Sequence, residues 1–166
     1  HIIEFTYDLI QKGILTFDKS KNDHRKVTFH DSCNVARGSN MGNIENGQFI
    51  LPREVIKAAC NHFSDMPKAT IKASTFCCGG GGGLLTDDLI ELRIKGAMPR
   101  MQALKQSQEN DGVNTLAAIC AICKSQFSKV LPNYDFDPYM IVSVHQLVSD
   151  ALVLSDKSQS KVVDSL

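Results

Sequence analysis

Lys26-Val27-Thr28-Phe29-His30-Asp31-Ser32-Cys33 is a short β-prone run that passes straight into a cysteine. Residues 26–30 read as a strand because Val, Thr and Phe suit a pleated, half-buried surface. The same order of strand and then cysteine recurs along the chain. Residues 70–76 read as a second strand that delivers Cys77-Cys78, and residues 113–119 as a third that leads into Cys120 and Cys123. A fourth strand is expected over residues 139–144. In an open parallel sheet the C-terminal strand ends share one edge, and ligands bind in the crevice outside it. Three cysteine groups distant in sequence are therefore expected to converge there.

Helical patterns separate the strands, which predicts an α/β fold with a four-stranded, mostly parallel sheet flanked by helices. Ile2, Ile3, Thr6, Leu9 and Ile10 share one face of an opening helix, and Gly13 stands where a left-handed cap is expected. Residues 34–48, with Gly38, Gly42 and Gly47, read as a loop. Pro52 suits the first turn of a helix whose stripe is Val55, Ile56, Ala59, Cys60 and Phe63. Thr86 is a good N-cap, with Asp87 and Asp88 at the positive end of the dipole. That helix is expected to break near Gly96, resume around Pro99 and stop at Gly112. A short helix over residues 123–131 ends at Pro132, and a last one runs over residues 145–154. Residues 1–24 form an N-terminal helix and linker, residues 25–154 the main domain and residues 155–166 a polar tail. His1-Ile2-Ile3 and His145-Gln146-Leu147 are alike enough to suggest that residues 1–24 are the tail of a preceding unit.

The bulk composition excludes several classes. With 166 residues the chain can bury a sizeable core, and 43 % apolar with 22 % charged residues is ordinary for a globular protein. Its 18 Lys and Arg balance 18 Asp and Glu, so no net pull toward nucleic acid is implied. No apolar run approaches the roughly 18 residues of a membrane span. The chain opens with His1 and shows no signal-like stretch after it, which reads as a fragment of a longer protein.

Six cysteines carry the chemical information. Adjacent Cys77 and Cys78 are poor disulfide partners, because a vicinal bridge strains the backbone. Metal binding in a reduced compartment is the better reading of two tight pairs at strand ends. Soft thiolates match iron, and five convergent thiols (Cys33, Cys77, Cys78, Cys120 and Cys123) exceed the four that close a zinc tetrahedron. Structural zinc and simple core thiols remain the competing readings. Cys60 belongs to an apolar helix face and reads as core. The run Gly79 to Gly83 lets backbone approach a bulky anionic group, and the amides of Gly79, Gly80 and Gly81 could donate to it. It is not a phosphate loop, since Leu84 and Leu85 stand where a further glycine would be needed. His30 is read either as a strand-end histidine bonded to backbone or as a ligand. Arg37 is either a loop cation or an offset for cluster charge. Arg93, Lys95 and Arg100 read as a solvated helix face, and Lys124 is ambiguous in the same way.

A cysteine, then Cys-Cys-Gly, then Cys-x-x-Cys resembles the cysteine-rich CCG domain of the heterodisulfide reductase family, and most of all its DsrK-like members. The resemblance rests on His30-Asp31-Ser32-Cys33-Asn34-Val35-Ala36-Arg37, Phe76-Cys77-Cys78-Gly79-Gly80-Gly81-Gly82-Gly83-Leu84, Glu91-Leu92-Arg93, Pro99-Arg100 and Cys120-Ala121-Ile122-Cys123. It implies a Rossmann-like scaffold whose five cysteines hold a non-cubane [4Fe–4S] cluster. It further implies reductive cleavage or formation of a disulfide or trisulfide on a small, DsrC-like sulfur-carrier protein. The expected setting is the cytoplasmic face of a membrane-bound redox complex, with its other subunits as partners. A zinc-stabilised interaction module and a pure electron relay are the alternatives.

Overall fold

The computed structural model, which describes residues 1–84 and 86–154, contains one parallel sheet in the order β1-β2-β3. The strands are β1 Val27–Phe29, β2 Thr115–Ala118 and β3 Ile141–Ser143. Val27 pairs with Thr115 and Leu116 with Ile141, so all three strands finish at the same edge. The helices are α1 Ile2–Gln11, α2 Cys33–Ala36, α3 Gly47–Ala59, α4 Ile90–Asp111, α5 Ala121–Val130 and α6 Val144–Ala151. Side chains leave a strand alternately to either side, and two cores result. Leu116 joins Met101, Leu104 and Phe127 on one face, while Val27, Phe29 and Ala117 join Ile3, Val55, Ile56 and Leu147 on the other. The strand order runs in one direction and carries no reversal of the kind that marks a doubly wound sheet.

Residues 70–76, expected as a strand, are not one. They form two 3₁₀ turns, Lys68–Thr70 and Lys72–Ser74, with Lys72 at φ +54°. Side chains replace the ladder. Asp31 accepts from the Lys72 amide at 2.8 Å, and the Thr75 hydroxyl donates to the Asp31 carbonyl at 2.8 Å. What lies beside β1 is instead Phe63, through a single parallel bridge to Val27. The sheet among the described residues thus has three strands, not four.

Three helix boundaries also differ from expectation. α3 begins at Gly47 rather than at Pro52, because Asn46 in a left-handed conformation (φ +59°) turns the chain and accepts from Phe49 and Ile50. Pro52 then sits in the second turn, where it cannot donate to the preceding turn. α4 passes through Gly96 and Pro99 without a break. A Cβ on Gly96 would make only ordinary contact, 3.6 Å from Gly79 Cα. α5 starts two residues early, at Ala121, with Cys120 as its N-cap. Gly13 and Gly112 are left-handed as expected (both φ +67°).

α1 is part of the same core, with Ile3 fully buried against α3 and the Thr6 hydroxyl 3.2 Å from His145 Nε2. The two histidines play different parts: His1 caps α1, whereas Ser143 caps α6. Buried Asn22 donates to Ala59 O and Leu147 O, tying the ends of α3 and α6 together. The polar tail expected from Ser155 onward lies outside the described residues.

Arg53 pairs bidentately with buried Asp31 (both 2.7 Å) and also reaches Asp65. Although burial opposes its charge, those bonds outweigh burial and hold the guanidinium protonated. Removing one partner of a buried pair strands the other charge. Arg53→Ala is therefore expected to lose about 3–5 kcal/mol in urea unfolding. Asp65→Asn, on a partly exposed partner, is expected to lose about 1 kcal/mol or less.

Candidate metal centre

β1 ends in three buried residues, His30, Asp31 and Ser32, and Cys33 follows as the first residue of α2. β2 ends just before Cys120, and Cys123 lies in the first turn of α5. The Asp31-bound turns bring Cys77-Cys78 to the same sheet edge. The thiols of Cys77, Cys78, Cys123 and Cys120 follow one another as neighbours: Cys77 beside Cys78, Cys78 beside Cys123, and Cys123 beside Cys120. Ser32, which carries no signal in the sequence, touches this line twice. Its hydroxyl lies beside Cys120 and accepts from Cys123 Sγ at 3.6 Å. Cys33 is half-buried one residue beyond Ser32, and no hydrogen bond to its thiol is found among the described residues.

His30 lies deepest. One of its ring nitrogens and the sulfurs of Cys78 and Cys123 all lie within 4.8 Å of one another, and all three residues are buried. Burial, with a contribution from nearby Arg100, pushes the imidazole well below its usual range, so it is neutral. Phe127 meets the ring edge-on at 4.8 Å between centroids. The expected backbone bond of His30 is not found, because neither ring nitrogen has a partner among the described residues. Cys60, in contrast, is buried in the opposite core, and burial pushes its thiol up to about 11, as fits a packing residue.

The glycine run wraps the outer side. The Gly79 amide donates to Cys77 Sγ at 3.3 Å, with Gly79 at φ +89°. A Cβ on Gly79 would meet the Ala97 amide nitrogen at 2.9 Å, and one on Gly80 would stand 3.4 Å from Cys78 Sγ. Gly81, at φ +53°, places a further amide against Cys77. Beside Cys77 these glycines, with Leu84, Leu92 and Arg93, line an apolar cavity of about 220 Å³. A cavity of about 300 Å³ at the other edge of the sheet, around Lys26 and His62, contains no cysteine.

The basic stretch is not a solvated face. Arg93 and Arg100 are 2 % and 0 % exposed, and only Lys95 points to solvent. Arg93 bonds Gln126 Oε1 (2.8 Å) and Thr86 O (3.0 Å). Arg100 bonds Met66 Sδ, Thr70 O and Thr75 Oγ1. Neither guanidinium meets a carboxylate among the described residues. The signal is in the sequence: Arg93, Ala97, Arg100 and Leu104 follow a helical period that also contains core residues. Arg37, expected as a charge offset or a loop cation, is exposed at the end of α2. Lys124 is half-buried.

Six buried side-chain atoms lack a hydrogen-bond partner among the described residues, and all but Thr28 Oγ1 belong to His30, Arg93, Arg100 and Gln126. Buried polar groups are normally satisfied. Orphan donors concentrated around a line of thiols, with two unpaired buried cations, fit an anionic thiolate-bound metal group. The thiol chemistry is graded. Cys78 raises Cys77 and Cys123 raises Cys78, with burial adding to both, whereas Cys120 is lowered because its interactions with the Cys123 amide, Ser32, Cys123 and Ile122 outweigh burial. Thiolate, not thiol, attacks electrophiles. In the metal-free chain near neutral pH, limited iodoacetamide is expected to alkylate Cys120 well before the equally half-exposed Cys77, as read by peptide mass spectrometry.

Residues 27–128 match the family model described as CCG, cysteine-rich domain. The chain is 44 % identical, over 155 residues, to an "Hdr-like menaquinol oxidoreductase iron-sulfur subunit 2" of Archaeoglobus fulgidus. It is 43 % identical to the corresponding iron-sulfur subunit of Archaeoglobus profundus. Each of these alignments covers 93 % of the chain and 26 % of the relative, so the chain spans about a quarter of their length. A third relative, a subunit of the dihydromethanophenazine:CoB–CoM heterodisulfide reductase of Methanosarcina acetivorans, is 29 % identical over 93 % of the chain and 34 % of its own length. No solved structure gives a significant match. The matched segment runs from β1 into α5 and includes the five cysteines expected from the sequence as ligands; the chain belongs to the CCG family of cysteine-rich domains.

Proposed function

We propose that this domain holds a non-cubane [4Fe–4S] cluster through Cys33, Cys77, Cys78, Cys120 and Cys123, as the redox centre of a heterodisulfide-reductase-like oxidoreductase. The observation that carries the reading is the line of four thiols, drawn from two distant segments, beside buried cations with no carboxylate. When bound, the cluster would supply electrons for a sulfur–sulfur bond, whose cleavage takes two electrons and two protons to give two thiols. The chain's own residues do the rest. The cysteines bind and the Gly79 amide fixes Cys77. Half-exposed Cys33, Cys77 and Cys120 leave one side open to a partner.

The substrate in this reading is a disulfide or trisulfide on a small sulfur-carrier protein of the DsrC type. The names of the Archaeoglobus relatives suggest a quinol as the other end of the electron path. Other subunits would carry those electrons at the cytoplasmic face of a membrane. No described helix is long and apolar enough to cross a membrane.

A second reading has a specific observation behind it. His30, Cys78 and Cys123, with Cys120 adjoining, offer a Cys₃His set of the kind that closes a structural zinc site. Metal analysis separates the two. After anaerobic reconstitution the cluster reading expects a brown protein with about four irons per chain, and Cys78→Ser or Cys120→Ser is expected to lose most of that iron. A folded, colourless protein carrying about one zinc would overturn the cluster reading.

A further inference from the structure

Metal ligation does not require two arginines to be driven into the protein, yet α4 buries both on the side that faces the thiols. Arg93 and Arg100 are seven residues apart, two helical turns, so they share a face. Between them Gly79 packs directly on the helix, where a Cβ of its own would meet the Ala97 amide nitrogen at 2.9 Å. Arg93 reaches α5 through Gln126, three residues beyond Cys123. Arg100 lies under Phe76, 5.8 Å from the ring centroid, and interacts electrostatically with Cys77, Cys78 and Cys123. Asp31 also acts on Arg100, but its carboxylate is committed to Arg53 and the Lys72 amide.

Burying a charge without a partner is costly. Arg93 Nη2 and Arg100 Nε are buried and have no hydrogen-bond partner among the described residues. Neutral thiols do not compensate two guanidiniums. Thiolates carrying a metal group would, and orphaned donors in a low-dielectric setting act on such a group with little screening.

Resting on the cluster assignment above, we propose that Arg93 and Arg100 are fixed counter-charges of the centre that favour its reduced, more negative state and so raise its reduction potential. Reduction adds one electron and one negative charge, which the two cations stabilise more than the oxidised state. They are positioning residues, acting on the centre through space. Exposed Lys95 on the same helix is the natural control, because its charge is screened by water.

The experiment is an EPR-monitored redox titration of the reconstituted, iron-loaded chain, as wild type and as Arg93→Gln, Arg100→Gln and Lys95→Gln. At a fixed potential the reduced-to-oxidised ratio is expected to fall at least tenfold in each arginine variant, about 59 mV more negative for a one-electron couple. The Lys95 variant is expected to change far less, and the arginine shifts to persist in high salt. If Arg100→Gln does not fold, Arg93→Gln decides alone. Unchanged potentials, or a shift as large in Lys95→Gln, overturn the inference while the cluster assignment stands. A wild type that takes up no iron refutes the cluster assignment, and the counter-charge role falls with it.

Discussion

Asp31 is the joint on which the arrangement turns. It follows the end of β1, is nearly free of solvent and accepts two hydrogen bonds from Arg53 and one from the Lys72 amide, while its own carbonyl accepts from Thr75. Three segments far apart in sequence are thereby fixed to one point: the strand end that leads to Cys33, the helix α3 and the turns that lead to Cys77-Cys78. A carboxylate buried this deeply is tolerable only when fully bonded. That requirement makes the geometry specific, since a displaced 70–76 segment would leave Asp31 unsatisfied. The second contribution comes from β2, whose end aims Cys120 and the first turn of α5 at the same place.

The electrostatics are divided between the two ends of the site. Asp31 and Arg53 neutralise each other away from the thiols, so Arg100 is left without an acid of its own although it lies near. Burial pushes Arg100 down to about 10, with Asp31 and the cysteines opposing that, and it still stays charged at neutral pH. His30 is driven neutral by the same surroundings. The inner wall thus offers two cations and a neutral imidazole, all with spare nitrogens. Such a wall suits sulfur-rich anions and would be a poor lining for a dry apolar core.

Much of this is legible in the sequence, and the failures share a cause. β1, β2 and β3 stand where their β-branched and apolar runs put them, and Gly13 and Gly112 end helices as their backbone freedom suggests. Cys60 is core, as its helical face implies. Residues 70–76 mislead because propensity records what a segment can pair with in a sheet, not that Asp31 would supply its hydrogen bonds. Pro52, Gly96 and Pro99 read as helix punctuation, but tertiary packing carries α3 and α4 past them. Arg93 and Arg100 read as solvated because charge usually is. Only the helical period they share with Ala97 and Leu104 argues otherwise. Ser32 and Gln126 have no sequence signal, since their roles exist only where separate elements meet.

The site is asymmetric. Cys78 and Cys123 are buried beside His30, whereas Cys77 and Cys120 are half-buried next to them, and Cys33 is half-buried at the start of α2. The glycine loop lies beside Cys77 and adds amides without side-chain bulk. Cys77 and Cys120 differ in kind: helix α5 and Ser32 stabilise negative charge on Cys120, while Cys77 is held as a thiol chiefly by Cys78 and by burial. The fold builds this asymmetry from two kinds of support: β1 and β2 lead into Cys33 and Cys120, and the Asp31-bound turns bring in Cys77-Cys78.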